Sequence, residues 1–140
     1  MWDEETLVYA AGFLDGEGTF RLAGAGKIKG AKISVCMSNT YLPVVQWFQK
    51  EFGGSISKGT KRQPHHRLCY TWSVTGERAD MLCRHICVFL KEKAPQAALL
   101  IAVRQTLKYT SQGKKTPPHI ADERTRLDFI LKGLHHVEWK

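Results

Sequence analysis

Two carboxylates separated by one glycine stand near the start of the chain, in the stretch Asp15-Gly16-Glu17-Gly18. An apolar run rich in small residues precedes them, and an alternating run follows, so the pattern predicts a helix that ends where a strand begins. The glycines on both sides of Glu17 allow a sharp exit of the backbone. A carboxylate at such a junction, near a symmetry-related copy of itself, is suited to hold a divalent cation.

The elements that must position these carboxylates follow from the spacing of the apolar residues. Helical spacing predicts helices over residues 4–14, 42–52, 77–90, 95–109 and 121–134. Alternation predicts strands over residues 19–25, 31–38, 55–58 and 68–75. The order predicts an α+β fold, αββαββα, with further helices at its C-terminal end. We expect one domain, residues 1–140, in which two hairpins form a twisted antiparallel sheet and helices cover its apolar face.

The composition indicates a globular chain with a polyanionic partner. Of the 140 residues, 43% are hydrophobic and 24% are charged, which are ordinary values. The 21 basic and 13 acidic residues give a net charge of +8 and a pI near 9.5. Nucleic acid is the commonest partner of such a chain, although a membrane-surface protein has the same charge signature. No apolar run reaches the ~18 residues of a transmembrane helix, and the acidic start lacks a signal peptide's basic segment, so we expect a soluble intracellular protein.

The four cysteines raise the alternative of a metal site. Cys83 and Cys87 lie on either side of His85. On the predicted helix His85 points away from both thiols, so the three side chains do not converge on one ion. The sequence therefore favours free, mostly buried thiols in a reducing compartment.

One face of the predicted sheet is polar and carries positive charge. A two-stranded ribbon fits the major groove of B-DNA, where arginine and lysine donate to guanine and small polar side chains act through water. The candidate base-contacting residues are Arg21, Ala23, Lys32, Ser34, Cys36, Ser38, Ser55, Ser57, Cys69, Thr71 and Ser73. The candidate phosphate-contacting residues, in or beside the turns, are Lys27, Lys29, Lys58, Lys61, Arg62 and Arg67. A solvated sheet face is the alternative for any one of them.

Two segments resemble one family. Residues 10–18 (AAGFLDGEG) resemble the nine-residue signature of the LAGLIDADG homing endonucleases, with Ala for the leading Leu and Glu for the second Asp. Residues 89–97 (FLKEKAPQA) resemble the lysine-bearing junction before a late helix of that family. The resemblance implies the same αββαββα fold, with the sheet forming a DNA-binding saddle.

The resemblance also implies roles for single residues. Glu17 would bind Mg²⁺, or another divalent cation such as Mn²⁺, helped by the backbone carbonyl of Gly16. Lys93 would stabilise charge on the phosphate or polarise the attacking water. Asp15 would tie down the helix end or the dimer seam, with a direct role in the site as the alternative. Asn39 would either position water or cap the following helix.

A single signature in the chain implies one acid per DNA strand and hence a homodimer. The predicted seam lies on the first helix and consists of Leu7, Ala10, Ala11, Gly12, Leu14 and Asp15. Two-fold symmetry predicts a long, pseudo-palindromic site on double-stranded DNA. The implied activity is site-specific DNA cleavage in the cytoplasm of a prokaryote or phage-infected cell, or in an organelle. An RNA-binding intron maturase and a DNA-binding regulator without cleavage are the alternatives.

Overall fold

The computed structural model describes residues 2–23, 32–59, 67–106 and 118–135. Their elements, in chain order, are α1 (Glu4–Glu17), β1 (Gly18–Ala23), β2 (Lys32–Asn39), α2 (Leu42–Phe52), β3 (Ser55–Lys58), β4 (Tyr70–Thr75), α3 (Gly76–Ile86), α4 (Ala94–Thr106) and α5 (Pro118–His135). The predicted α+β organisation is confirmed. The predicted glycine-rich hairpin turn, most of the second hairpin loop and the loop before the last helix fall outside the described residues.

Helix α1 is longer than predicted, because it continues through both carboxylates to Glu17. Asp3 caps its first turn, where the carboxylate accepts a 2.8 Å hydrogen bond from the backbone N–H of Thr6. At the other end the N–H of Gly18 bonds to the carbonyl of Leu14, and Gly18 turns into the extended conformation. A Cβ at position 18 would lie 2.7 Å from that carbonyl oxygen. The backbone therefore bends at Gly18, where only glycine fits.

The four described strands form one antiparallel sheet in the order β1-β2-β4-β3. Phe20 of β1 pairs with Val35 of β2, which pairs with Val74 of β4. The neighbouring row of side chains on the same face pairs Met37 of β2 with Trp72 of β4. These side chains are buried, which confirms the predicted alternation in the first hairpin and in β4.

Helices α1 to α4 cover this apolar face and complete the core. Helix α2 has the predicted bounds and buries Val45, Phe48 and Phe52. It ends at Gly53 and Gly54, whose φ angles of 74° and 92° suit glycine. Trp72 lies beneath α2, with its ring 5.0 Å from that of Phe48.

The C-terminal helices differ from the prediction at their ends. Helix α3 ends at Ile86, whose carbonyl accepts the N–H groups of both Phe89 and Leu90. This early end frees residues 91–93 to lie against α1. Helix α5 packs on α4 through buried leucines, and the Nε of buried Arg124 donates to the Oγ1 of Thr106 at 2.7 Å. Burial lowers the pKa of Arg124 from its ordinary value.

None of the helices in the described part of the chain is both long enough and apolar enough to cross a bilayer.

Candidate active site and open sheet face

The carboxylate of Asp15 is bound by the backbone of a distant loop. The N–H of Lys91 donates to Oδ2 at 2.8 Å, and the N–H groups of Glu92 and Lys93 donate to Oδ1 at 3.2 and 3.0 Å. A carboxylate that accepts several backbone N–H groups has much of its negative charge satisfied without a cation. This arrangement supports the first predicted role of Asp15, which was to hold the end of the helix.

The side chain of Lys93 returns to the same helix end. Its Nζ donates to the carbonyl of Leu14 at 3.1 Å and to the carbonyl of Gly18 at 2.6 Å. The ammonium group therefore satisfies carbonyls at the negative end of the α1 dipole. We call Asp15, Lys93 and the backbone N–H groups of residues 91–93 the junction clamp.

In the sequence, Glu17 stands between Leu14 and Gly18, the two residues whose carbonyls accept the Lys93 ammonium group. It is the last residue of α1, and its side chain is exposed, as is neighbouring Gly16. In the part of the chain that the structure describes, no three His, Cys, Asp or Glu side chains come together as a metal-binding group. A cation bound to Glu17 would therefore need further oxygen ligands that other described His, Cys, Asp and Glu side chains do not supply.

Asn39 closes the turn between β2 and α2. Its Oδ1 accepts a 2.8 Å hydrogen bond from the backbone N–H of Tyr41, an Asx turn that leads into the helix. Asn39 thus shapes the turn, while the N-cap of α2 is Tyr41 and has no side-chain capping bond, so the predicted helix-capping role of Asn39 stays a prediction. The predicted water-positioning role stays a prediction.

The face of the sheet away from the helices is the open face, and its side chains form rows across the strands. One row runs Thr19, Cys36, Ser73 and Ser55, starting two residues after Glu17. Beside it lies the row of Ser38, Thr71 and Ser57, in which the Ser38 and Thr71 hydroxyls are 2.6 Å apart. Farther from Glu17 along β1, the rows contain Arg21, Ser34 and Thr75, and then Ala23 and Lys32. The described cations of the strands on this face therefore lie away from the junction.

The other predicted DNA-contacting residues fall into three groups by their position. Lys58 ends β3 on the side of Ile56, by strand alternation, and so points away from the open face. Arg67 and Cys69 come just before β4, where the carbonyl of Cys69 accepts the N–H of Gly59. Lys27, Lys29, Lys61 and Arg62 lie outside the described residues.

The predicted dimer seam needs a correction. Leu7 is 8% exposed, and Ala10, Ala11 and Leu14 are fully buried in the core of their own chain, so they offer a partner almost no surface. Small and apolar residues mark both an internal contact and a contact with a partner, and the sequence alone did not separate the two. Of the predicted set, Gly12 is exposed and Asp15 belongs to the clamp.

The sequence interpretation placed Gly12 in the dimer seam but missed the apolar residues that share its outward side of α1. Val8 and Tyr9 are 47% and 52% exposed there. A Cβ at Gly12 or Gly16 would meet nothing within 4 Å. We call these four residues the α1 ridge; their helical spacing of three and four residues was the available signal.

The cysteine-bearing helix has no metal-like arrangement among the described side chains. Burial, followed by the charges of Asp80 and Cys87, raises the pKa of the Cys83 thiol to about 12. The Nδ1 of His85 donates to the carbonyl of Met81 at 2.8 Å, and its ring packs edge-on against Trp2. These side chains serve the packing of α3.

Comparison with solved structures finds this fold in DNA complexes of homing endonucleases. The homing endonuclease I-CvuI with its target (Sro1.3) in 2 mM Ca is 18% identical, with a TM-score of 0.74, over 97% of this chain and 85% of that one. I-CvuI with the I-CreI target in 2 mM Mg, in which the DNA is not cleaved, gives 18% and 0.75 over 98% and 86%. The archaeal intron-encoded I-Vdi141I complexed with DNA gives 14% and 0.74 over 98% and 88%.

A longer protein shows the same similarity over part of its length. The LAGLIDADG homing endonuclease I-SmaMI bound to cleaved DNA is 14% identical, with a TM-score of 0.65, over 87% of this chain and 42% of that one. No model of a protein family matches the chain, and no curated protein matches it. The structural comparisons agree with the resemblance of residues 10–18, and we conclude that the chain has the fold of the LAGLIDADG homing endonucleases.

Proposed function

We propose that the protein is a site-specific DNA endonuclease that cleaves both strands of double-stranded DNA by metal-dependent hydrolysis, as a homodimer. The observation that carries this proposal is the end of α1, where exposed Glu17 stands in the chain between Leu14 and Gly18, the two residues whose carbonyls accept the ammonium group of Lys93. Phosphodiester hydrolysis needs a bound cation and a fixed positive charge near the phosphate. The DNA complexes of proteins with this fold support the proposal.

The proposed cation is Mg²⁺ or a similar divalent ion such as Mn²⁺, held by Glu17 and the carbonyl of Gly16. Mg²⁺ commonly takes one or two carboxylates from the protein and completes its shell with water and substrate phosphates. A single exposed carboxylate fits that donor set when DNA and the Glu17 of a second copy supply the rest. When bound, the ion would activate water and stabilise the leaving oxygen.

The open face is the proposed DNA-binding surface. Arg21 and Lys32 are suited to donate to guanine in the major groove, and the hydroxyl rows nearer Glu17 are suited to water-mediated contacts. The predicted phosphate contacts from Lys27, Lys29, Lys61 and Arg62 would add affinity that does not depend on sequence. Sequence readout would then be strongest away from the cleavage point.

The α1 ridge is the proposed dimer contact. Gly12 and Gly16 leave room for the backbone of a second α1, and Val8 and Tyr9 supply apolar surface beside them. Two copies packed in this way would bring both Glu17 carboxylates near the symmetry axis. We further propose that the protein belongs to a mobile element, as the names of the homing endonucleases with this fold suggest.

The endonuclease proposal is tested with Glu17→Gln on a randomised double-stranded DNA library, with and without Mg²⁺. The expected result is Mg²⁺-dependent cleavage by the wild type, background cleavage by Glu17→Gln, and retained DNA binding by both. Glu4→Gln is the matched control, because Glu4 is exposed on the first turn of the same helix. DNA binding without cleavage by the wild type would contradict the proposal and favour a regulator, and selective binding of intron RNA would favour a maturase.

The dimer is tested with Gly12→Leu in sedimentation measurements. The leucine has open space in its own chain and removes a helix penalty of about 1 kcal/mol, so the monomer should fold. We expect the dimer dissociation constant to rise at least about tenfold through overpacking. Gly133→Leu is the control, since a Cβ there also meets nothing within 4 Å, but on α5. Equal effects of the two substitutions would rule out the α1 ridge as the contact.

A further inference from the structure

The backbone end of Lys93 is fixed by Asp15. The N–H of Lys93 is one of the three that the carboxylate accepts, at 3.0 Å, and the two preceding residues supply the others. Asp15 and Lys93 are far apart in the chain, so no local turn holds them together. The carboxylate therefore sets where the Lys93 side chain begins.

The other end of the Lys93 side chain is fixed by the same helix terminus. Its half-buried ammonium group donates to the carbonyls of Leu14 and Gly18. An ammonium group has three N–H donors, and the described bonds use two of them. The remaining donor is the one available to a phosphate or a water molecule.

We propose that Asp15 is a positioning residue for Lys93, a role that rests on the proposed endonuclease function. Asp15 makes no described contact with the sheet face, and its carboxylate is occupied by backbone N–H groups. Its effect on the reaction passes through the loop to the lysine. The junction clamp thereby fixes the lysine that would face the phosphate against the end of α1, the helix that also carries Glu17.

Asp15→Asn tests this role because it changes one acceptor into a donor. The amide oxygen can replace one carboxylate oxygen, but the amide nitrogen then opposes a backbone N–H. We expect the cleavage rate constant at saturating enzyme to fall about tenfold and DNA affinity to stay within about threefold. Glu92→Gln is the matched control, since it removes an exposed acid from the same loop while only the backbone of Glu92 takes part in the clamp.

A double-mutant cycle separates positioning from general stability. In a Lys93→Met background, Asp15→Asn should lower cleavage less than about twofold further, because the group it positions is absent. A full tenfold loss in that background would overturn the proposal while leaving the endonuclease function in place. Asp15→Glu retains both acceptor oxygens and should fall between the wild type and Asp15→Asn, which keeps the test usable if the asparagine variant unfolds.

A measurement that needs no activity closes the test. The acetylation rate of Lys93, followed by peptide mass spectrometry on the full chain, should rise several-fold in Asp15→Asn and stay at the wild-type rate in Glu92→Gln. An unchanged rate in Asp15→Asn would overturn the positioning role. If the wild type cleaves no DNA, the proposed function fails, and the acetylation comparison still decides whether Asp15 holds Lys93.

Discussion

The junction clamp and the open face treat their polar groups in opposite ways. In the clamp, one carboxylate and one ammonium group make five hydrogen bonds to backbone atoms, at 2.6 to 3.2 Å. On the open face, the one hydrogen bond between side chains of the described strands joins Ser38 and Thr71. Groups that must keep a fixed geometry are bonded within the chain, and groups suited to contact a partner are left open to it. The two regions should therefore respond differently to substitution.

The largest effect expected in the clamp is on the chemical step. Lys93→Met removes a positive charge from the proposed site, and cleavage should fall about 10²- to 10³-fold, as for a lost electrostatic stabiliser. DNA affinity should change less than about threefold, because the side chain is committed to Leu14 and Gly18. Single-turnover rates and a filter-binding titration measure the two quantities. Comparable losses in both would refute the catalytic role.

A smaller effect of another kind is expected on the open face. Arg21→Ala should cost about 1–3 kcal/mol at one base position and relax the preference there, while the cleavage rate of bound DNA stays near that of the wild type. Binding to a library with each base pair varied in turn measures this. Lys50→Ala, which removes an exposed lysine of α2, is the control and should lower affinity evenly at all positions or not at all. A uniform loss in Arg21→Ala would show that it contacts only phosphate.

The smallest effect is expected at the opposite end of α1, where another carboxylate has a local task. The hydrogen bond from the backbone N–H of Thr6 lowers the pKa of Asp3 below its ordinary 3.8. Its stabilisation is therefore present above pH 3.8 and is lost as the pH falls through the lowered value. Between pH 5 and pH 2.5, the free energy of unfolding of Asp3→Asn, followed by thermal unfolding, should fall slightly less than that of the wild type. Identical pH dependence would show that the cap contributes nothing measurable.

The sequence predicted well what depends on local periodicity. Helix α2 and strand β3 have the predicted bounds, because Pro43 and the Gly53-Gly54 pair delimit the helix. The alternation of Tyr70 to Thr75 predicted which side chains face the core. The carboxylate pair was recognised from the order of small and acidic residues.

The parts that were missed depend on which elements meet in space. The pairing of β2 with β4 is set by the helices that pack on both hairpins, and no single segment specifies it. The clamp joins groups 75 to 79 positions apart, beyond the reach of any helical or strand period. The wrong prediction of the dimer seam has the same cause. Ala10 and Ala11 mark an apolar side of α1, but the sequence does not tell whether the chain's own core or a second copy packs against it.

The register of the sheet has a consequence for how such a protein could change over generations. Because neighbouring residues of a strand face opposite ways, the small side chains of the row from Thr19 to Ser55 can be exchanged without altering Phe20, Val35 or Trp72 in the core. Each row is thus an independent site of variation on a constant scaffold. Under the proposed function, a lineage with this architecture could follow a drifting DNA target one base step at a time without changing the core or the junction clamp.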